Sequence, residues 1–294
     1  MTSDNMNLSR REAMAALGLM ALSCRTALGA ESQTTAAPKT KGGIALQLYT
    51  VRDPAKKDLA GTLKKVRDMG WEYVQWSGMP SLPADKIRES LDKAGLKAIS
   101  AHVSVEAFEK NFDEQVRFWK TVGVAHVAPG GMMGDCKANL EGWLKGAKRL
   151  DALGAKLRAV GMRLAYHNHS FEFEKFPGDP RCKLDILLES TRPENLMAEF
   201  DTAWVFAGGA DPAAYIRKYK GRCPVIHIKD ILPMKKGGKV TFKPLGQGAL
   251  RWDDIFAAGN EAGIEWFVYE QDAGEGSPLD YAQASYEFLK KKFP

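Results

Sequence analysis

The sequence has little cysteine, no long apolar run and no concentrated charge of one sign, and each absence excludes a class of protein. Only four of the 294 residues are cysteine, and no Cys-x-x-Cys pair occurs, so a disulfide framework is not indicated. No apolar run reaches the length of about 20 residues that a membrane-spanning helix needs. The 42 Lys and Arg residues are mixed with 36 Asp and Glu residues, so the net charge of +6 is not gathered in a basic run. We therefore expect no nucleic-acid partner.

The first thirty residues follow the order of a signal peptide. Ser-Arg-Arg at 9–11 precedes an apolar stretch from Ala13 to Ser23, and small residues follow at 27–30. The paired arginines resemble a twin-arginine export signal. We therefore predict a twin-arginine-like signal peptide at 1–30 and a flexible linker, rich in Thr, Ala and Lys, at 31–41. The mature protein is then periplasmic or otherwise exported, with no membrane attachment after signal removal.

Two other interpretations of this N-terminal segment remain open. One is a buried or frayed N-terminal helix, and Ala13 and Met14 do stand where twin-arginine signals usually carry Phe and Leu. The other is a lipid anchor on Cys24, although Ala-Leu-Ser at 21–23 is a poor lipobox. Export with cleavage is favoured over both, because the basic, apolar and small-residue regions occur in the required order.

From residue 42 onward, short apolar runs alternate with longer amphipathic stretches. The apolar runs predict eight strands, at Ile44–Thr50, Tyr73–Ser77, Leu96–Val103, Val124–Pro129, Met162–His169, Leu196–Asp201, Val225–Lys229 and Trp266–Gln271. The amphipathic stretches predict helices at Leu59–Met69, Ile87–Ala94, Phe112–Val122, Asn139–Val160, Pro212–Tyr219, Trp252–Ala262 and Leu279–Lys291. Eight strands that are mostly followed by helices predict an α/β protein, a single-domain (β/α)₈ TIM barrel over 42–294.

A doubly wound open sheet is the competing fold. It places a Gly-rich phosphate-binding turn after its first strand, and residues 48–53 contain no glycine. The barrel is therefore favoured. The longest interruption between strands, at 234–250, contains Lys-Lys-Gly-Gly-Lys and predicts a hairpin over the mouth of the barrel.

Polar side chains gather at the ends of the predicted strands. Four of the five histidines fall there, namely His102, His167, His169 and His227, and His126 lies earlier in its strand. Alternation along the last four strands turns a pair of polar residues toward the barrel axis in each. These pairs are His167 and His169, Glu199 and Asp201, His227 and Lys229, and Glu270 and Asp272. Any one of them alone is explained as an ordinary ion pair, but together they predict one divalent metal ion, Mn²⁺, Co²⁺, Zn²⁺ or Mg²⁺.

Five short motifs follow one another along the chain. They are Gln-Leu-Tyr-Thr-Val-Arg at 47–52, Tyr-His-Asn-His-Ser-Phe-Glu-Phe at 166–173, Phe-Asp-Thr at 200–202, His-Ile-Lys-Asp at 227–230 and Tyr-Glu at 269–270. With these motifs in this order, the chain from about Gly43 onward resembles the sugar phosphate isomerase/epimerase superfamily. These proteins are the xylose isomerase-like TIM barrels that are grouped with AP endonuclease family 2.

The resemblance implies a metal site at the ends of strands five to eight, where relatives usually carry Glu, Asp, His and Glu. Carried over to this sequence, the ligands are His167, Asp201, His227 and Glu270. His167 stands where many relatives have a glutamate, and Glu172 is the alternative source of that carboxylate. Lyases of this superfamily carry a catalytic histidine two residues beyond the fifth-strand ligand, and His169 occupies that place.

The implied chemistry removes a proton from the carbon beside a substrate carbonyl, through an enediolate. His169 is the first candidate base and Glu172 the second. Lys229 is a candidate to hold a substrate oxygen, unless it only pairs with Asp230 or Asp201. Returning the proton gives a sugar isomerase or epimerase, which is the first function predicted. Loss of a group from the β carbon gives a 3-keto-glycoside lyase or dehydratase, the alternative, and a non-catalytic sugar-binding barrel is the further alternative.

Four more residues, at the ends of strands one and three, are candidates to bind substrate hydroxyl groups: Gln47, Tyr49, Arg52 and His102. For His102, a structural role is the competing interpretation. Export favours a small-molecule carbohydrate without phosphate, because sugar phosphates are cytoplasmic and no phosphate-binding loop follows the last strands. Barrels of this superfamily often dimerise, so a homodimer is compatible with the resemblance. A DNA-repair endonuclease would need more zinc ligands than the five histidines supply.

Overall fold

The computed structural model describes residues 42–234 and 238–293. The signal peptide predicted at 1–30 and the linker predicted at 31–41 lie outside these residues and remain predictions. Within the described ranges, no helix combines the length and the hydropathy that crossing a bilayer requires.

The described residues contain ten strands, eight of which form one parallel sheet. The strands are β1 (Gly43–Gln47), β2 (Tyr73–Trp76), β3 (Lys97–His102), β4 (His126–Ala128), β5 (Arg163–His167), β6 (Leu196–Glu199), β7 (Val225–Ile228), β8 (Asp230–Ile231), β9 (Phe242–Lys243) and β10 (Trp266–Tyr269). The parallel sheet has the order β6-β5-β4-β3-β2-β1-β10-β7. A parallel bridge between Asp201 and His227 links its two edges into a nearly closed barrel. All eight predicted strands, and the predicted TIM barrel, are confirmed.

Two layers of side chains fill the barrel axis. The lower layer is a small apolar cluster of Ala45, Ile99, Val225 and Val268, which are at most 9% exposed. Two residues further along β1, β7 and β10, alternation places Gln47, His227 and Glu270 on the same side of their strands. The barrel therefore carries a polar layer at its C-terminal end, above an apolar floor.

Helices connect and cover the strands. Their bounds are α1 (Arg52–Lys57), α2 (Leu59–Asp68), α3 (Ala84–Ala94), α4 (Val105–Lys110), α5 (Phe112–Val122), α6 (Leu140–Ala159), α7 (Lys183–Glu189), α8 (Thr202–Ala207), α9 (Pro212–Lys218), α10 (Trp252–Ala262) and α11 (Pro278–Leu289). Asn139 and Asp211 cap α6 and α9 by accepting hydrogen bonds from backbone amides of the first turn. Gly95 and Gly263 end α3 and α10 in the left-handed conformation. The seven helices predicted from periodicity are all present.

Two local features differ from the sequence prediction. The helices α1, α4, α7 and α8 were not predicted, because six or seven residues make less than two helical turns and give only a weak periodic signal; of the helices this short, α9 alone was predicted. The prediction that the first strand continues to Thr50 is wrong, since β1 ends at Gln47, and β5, β6 and β10 each end two residues before their predicted ends. The Gln47 side chain accepts a hydrogen bond from the Tyr49 amide at 3.4 Å, and residues 48–51 turn into a 3₁₀ helix.

The predicted hairpin after the seventh barrel strand is formed by β8 and β9, which pair antiparallel. The carboxylate of Asp230, 1% exposed, holds the segment that returns from this hairpin. It accepts hydrogen bonds from the amides of Ile231, Gly246, Gly248 and Leu250 and from Nε1 of Trp252. A Cβ atom at Gly248 would lie 2.1 Å from Asp230 Oδ1, so only glycine allows this close approach. Asp230 is therefore a structural residue of the barrel mouth.

We expect Asp230→Asn to lower the free energy of unfolding by about 3 kcal/mol, because an amide NH₂ would meet buried backbone donors. Urea unfolding followed by circular dichroism measures the difference. Asp253→Asn is the matched control, since the side chain of Asp253 is 67% exposed and forms a surface pair with Lys292. Equal unfolding midpoints for the two variants would show that Asp230 does not support the fold.

Candidate metal centre and active site

The four side chains predicted to hold a metal ion meet at the C-terminal end of the barrel. His167 ends β5, Asp201 follows β6, His227 lies in β7 and Glu270 follows β10. Each offers a nitrogen or oxygen atom, and these atoms all lie within 4.8 Å of one another. All four residues are at most 5% exposed. The fold thus brings together the set that the sequence singled out, and metal binding by this set remains a prediction.

The donor atoms of this group fit a divalent cation. Within the described residues, His167 Nδ1 and Asp201 Oδ2 are buried and make no hydrogen bond. The other oxygen of Asp201, Oδ1, accepts hydrogen bonds from two backbone amides at the start of α8, at 3.0 and 3.1 Å. Asp201 Oδ2 faces the ammonium group of Lys229 at 3.1 Å, so this oxygen already lies beside a cation and keeps a lone pair for a second one. Two imidazoles and two carboxylates are suitable ligands for such a cation.

Burial and neighbouring charges shift the pKa values of this group. Burial raises the pKa of Asp201 to about 6 and lowers the pKa of His167 well below its usual range. Burial also acts to lower the pKa of His227, but the carboxylates of Glu199 and Glu270 outweigh it and raise this pKa to about 10. Without a metal ion, His227 therefore holds an extra proton next to Glu270, which metal binding would displace.

A second group of donors shares two of these histidines. His102, His167, Glu199 and His227 also offer atoms within 4.8 Å of one another. Glu199 is 1% exposed, and its Oε1 lies 2.7 Å from His102 Nε2 and 3.1 Å from His227 Nε2. Alternation along the strand predicted that the Glu199 side chain faces the barrel axis, but no function was predicted for it. Its position, two residues before Asp201 and on the same face of the strand, could have indicated a role at the site.

His169, the first candidate base, lies beside the four residues predicted to hold the metal ion, which are called the metal group below. The centre of its ring is 5.1 Å from that of His167 and 5.4 Å from that of Trp204. Burial, and to a lesser degree the ammonium group of Lys229, lowers the pKa of His169 to about 4. The imidazole is therefore neutral at neutral pH, with a lone pair that can accept a proton.

Glu172, the second candidate base and alternative ligand, is not part of either donor group. It is fully buried, and its two oxygens accept hydrogen bonds from Tyr166 Oη and from the backbone amide of His169, both at 2.8 Å. Burial raises the pKa of Glu172 to about 7. In this arrangement Glu172 holds the backbone of His169 in place.

Lys229 is buried among carboxylates at the edge of the metal group. Its Nζ lies 2.7 Å from Glu270 Oε2, 2.8 Å from Asp272 Oδ1 and 3.1 Å from Asp201 Oδ2. Burial acts to lower the pKa of Lys229, but these carboxylates outweigh it and raise the pKa above its usual value. Of the two ion-pair partners considered for Lys229 from the sequence, the structure shows Asp201. The carboxylate of Asp230 accepts hydrogen bonds from backbone amides instead.

The predicted substrate-binding residues occupy different depths. Gln47 is fully buried and donates a hydrogen bond to Gln75, so it lies beneath the site. Arg52 lies 4.0 Å above the Tyr49 ring and donates to the backbone oxygen of Asp272, at the rim of the barrel. Arg52 and Asp272 line a cavity of about 460 Å³. His102, with its side chain 16% exposed, reaches a second cavity of about 320 Å³.

The chain matches the family model described as xylose isomerase-like TIM barrel over residues 63–292. It is 27% identical over 165 residues to the inosose dehydratase of Lacticaseibacillus casei, which is 50% of this chain and 53% of that protein. The chain thus spans about half the length of the curated relatives it matches.

Two solved structures are similar in fold. A sugar phosphate isomerase/epimerase from Parabacteroides distasonis ATCC 8503 has a TM-score of 0.74 at 21% identity, over 85% of this chain and 98% of that chain. The IOLI protein, solved with a bound zinc atom, has a TM-score of 0.66 at 17% identity, over 85% of this chain and 99% of that chain. At these identities the likeness establishes the shared barrel.

Proposed function

Because this chain belongs to the xylose isomerase-like TIM barrel family, we propose that it is a metal-dependent enzyme that removes the proton beside the carbonyl of a keto-sugar or cyclic keto-polyol. The observation that carries this proposal is the buried group of two imidazoles and two carboxylates within 4.8 Å, with a neutral histidine beside it. Burying two carboxylates and two imidazoles at one point is costly, and an apolar layer would fill the barrel without that cost.

The residues that would hold the metal ion are His167, Asp201, His227 and Glu270. A bound divalent cation would polarise a substrate carbonyl and make the neighbouring C–H group more acidic. Mixed nitrogen and oxygen ligands suit Zn²⁺, Co²⁺ and Mn²⁺ better than Mg²⁺, which prefers oxygen ligands. The zinc atom of the IOLI structure supports a metal-dependent function but does not identify the metal of this chain.

His169 is the proposed base. No described residue donates a hydrogen bond to its ring or accepts one from it, so the imidazole lone pair is available to a substrate C–H group. Glu172 holds the backbone amide of His169 and thereby the position of the ring. Lys229, whose ammonium group contacts Glu270, Asp272 and Asp201, would hold a substrate oxygen with the donor that now faces Asp201, once that carboxylate binds the metal ion.

Elimination suits this geometry better than epimerisation. Inverting a carbon centre requires acid–base groups on both faces of the substrate, and the carboxylates around the site are engaged by Lys229, His102 and backbone amides. Elimination requires one base: the electron pair released on carbon forms a double bond and expels the β oxygen, which leaves as water or an alcohol with the proton that the base removed. The similarity to an inosose dehydratase also supports this order. We therefore place dehydratase or 3-keto-glycoside lyase before the sugar isomerase or epimerase that the sequence favoured.

The substrate is proposed to lack phosphate. Among the described residues, Lys229 is paired with the carboxylates of Asp201 and Asp272, and Arg52 donates to the backbone oxygens of Tyr49 and Asp272. A phosphate group would need unpaired cations or a cradle of backbone amides. The export signal predicted at 1–30 supports the same conclusion, and we propose a periplasmic location on that basis alone.

We expect the purified protein to convert an inosose or a 3-keto-glucoside with loss of water or of the aglycone, and to stop after chelation of divalent metal. Mass spectrometry in D₂O distinguishes the outcomes. A product lighter by water, or a released aglycone, supports elimination. A substrate of unchanged composition that gains deuterium and changes stereochemistry would establish the isomerase or epimerase. Tight binding without turnover would favour the sugar-binding barrel.

A further inference from the structure

A chain of buried polar groups lies directly beneath the proposed metal site. Gln47, Gln75 and Glu199 are at most 1% exposed, and they come from β1, β2 and β6. Gln47 Nε2 donates to Gln75 Oε1, and Gln75 Nε2 donates to Glu199 Oε2 at 2.9 Å. The carboxylate at the end of this chain accepts only, so it determines the direction of both amides.

This chain ends against His227. Because its nitrogen faces Glu199, Gln75 turns its oxygen toward His227, and Gln75 Oε1 lies 2.6 Å from His227 Nε2. Glu199 Oε1 lies 3.1 Å from the same nitrogen. Two acceptors around one ring nitrogen require that Nε2 carries a hydrogen. The other nitrogen of His227, Nδ1, faces Glu270 Oε2 at 2.8 Å, on the side of the proposed metal.

The hydrogen on His227 Nε2 indicates which of the two overlapping donor groups would bind a cation. When a neutral imidazole binds a cation through one nitrogen, the other nitrogen keeps its proton. A cation held with Glu199 would need His227 Nε2 as a ligand, in place of its contact with Gln75. A cation held with Asp201 and Glu270 needs Nδ1, and the contacts of Nε2 then persist unchanged.

We propose that Glu199 and Gln75 are positioning residues, which hold His227 by its Nε2–H so that Nδ1 faces the metal ion. This inference rests on the metal-dependent function proposed above. A carboxylate that accepts a hydrogen bond from a ligating histidine orients the ring and raises its basicity. The Nε2 atom of His102 lies 2.7 Å from the same oxygen, Glu199 Oε1, and the His102 ring stacks on that of His227 at 5.3 Å, so His102 also holds this carboxylate.

The test is zinc and cobalt titration of the full chain in three variants. Glu199→Gln keeps the size but removes the carboxylate that directs the amides. Gln75→Met removes the acceptor next to His227. Glu172→Gln is the matched control, an equally buried change from carboxylate to amide that does not contact a proposed ligand. We expect metal affinity to fall about 10- to 100-fold in Glu199→Gln and Gln75→Met, with one ion per chain still bound at saturation, and to stay unchanged in Glu172→Gln.

A spectroscopic measurement separates positioning from general destabilisation. Long-range ¹H–¹⁵N spectra of the zinc-loaded protein should show separate signals for the five histidines, and wild-type His227 should carry its proton on Nε2. The Nε2–H signal of His227 should broaden or shift in Glu199→Gln but not in Glu172→Gln.

The metal titrations and the His227 signal together distinguish three conclusions. Wild-type affinity and an unchanged His227 signal in Glu199→Gln would overturn the positioning role. Complete loss of metal from Glu199→Gln, with metal retained in Asp201→Asn, would also overturn it and make Glu199 a ligand. A wild-type protein that binds no divalent ion would instead refute the proposed metal-dependent function.

Discussion

The full chain should bind about one divalent metal ion, and Asp201→Asn should lose it, with affinity reduced more than about 100-fold and turnover abolished. Asp201 Oδ2 is the buried carboxylate oxygen without a hydrogen bond among the described residues, so replacing it by NH₂ turns a ligand into a donor. The asparagine keeps Oδ1, which caps α8 through two backbone amides, so the helix is preserved. A 100-fold loss corresponds to about 2.7 kcal/mol of binding free energy. Plasma mass spectrometry of the dialysed protein gives the stoichiometry.

Asp272→Asn is the control for this experiment. Asp272 also contacts Lys229, at 2.8 Å, but it belongs to neither donor group and its side chain is 23% exposed. We expect this variant to retain its metal ion. Equal loss of metal from both variants would mean that Lys229 and its ion pairs, and not ligation by Asp201, decide the metal content. No metal in the wild type after reconstitution with Mn²⁺ and Co²⁺ would exclude metal-assisted proton removal and leave a sugar-binding barrel.

His169→Gln should keep the metal ion but lower kcat by about 10²- to 10⁴-fold, the contribution of a well-placed general base. The backbone amide of His169 donates to Glu172 and is unaffected by the substitution, so the loop keeps its position. The change in KM should be small, because the imidazole acts on a C–H group. Deuterium exchange at the substrate carbon, followed by mass spectrometry, isolates the proton-abstraction step from later steps.

The variant Glu172→Gln tests the second candidate base and is compared with His169→Gln. The oxygens of Glu172 are occupied by Tyr166 and by the amide of His169, so we expect the variant to lower kcat less than His169→Gln does. A larger loss in Glu172→Gln, with exchange retained in His169→Gln, would reverse the two roles. Loss of the metal ion from His169→Gln would show that His169 is a ligand and not the base.

Much of the fold could be predicted because local patterns dominate it. The eight strands are nearly continuous apolar runs, and long helices such as α6 show clear amphipathic periodicity. Short helices such as α8 have too few residues for a period, and α8 begins where Asp201 happens to cap it. The early end of β1 at Gln47 depends on one side chain that bonds to the following backbone.

The part of the site that follows from the alternation of side chains along the strands could be predicted. In a parallel barrel, residues of one parity at the strand ends face the same axis, and this places His167, His227 and Glu270 together. The same rule correctly left out His126, which lies at the start of β4 and pairs with Glu265 at 3.8 Å. Gln75 was missed, because a single buried glutamine at a strand end resembles any core amide.

Local sequence patterns were enough to predict the barrel, the polar layer at its C-terminal end and the identity of the converging side chains. Each of these depends on a period of two or of 3.6 residues, which neighbouring residues carry. The partner of each polar atom follows from the three-dimensional arrangement alone: Glu172 faces Tyr166, Lys229 faces three carboxylates, and Glu199 faces three histidines. Hydrogen-bond direction and ligand choice depend on atoms a few ångströms apart that come from strands distant in sequence, and no local pattern contains that information.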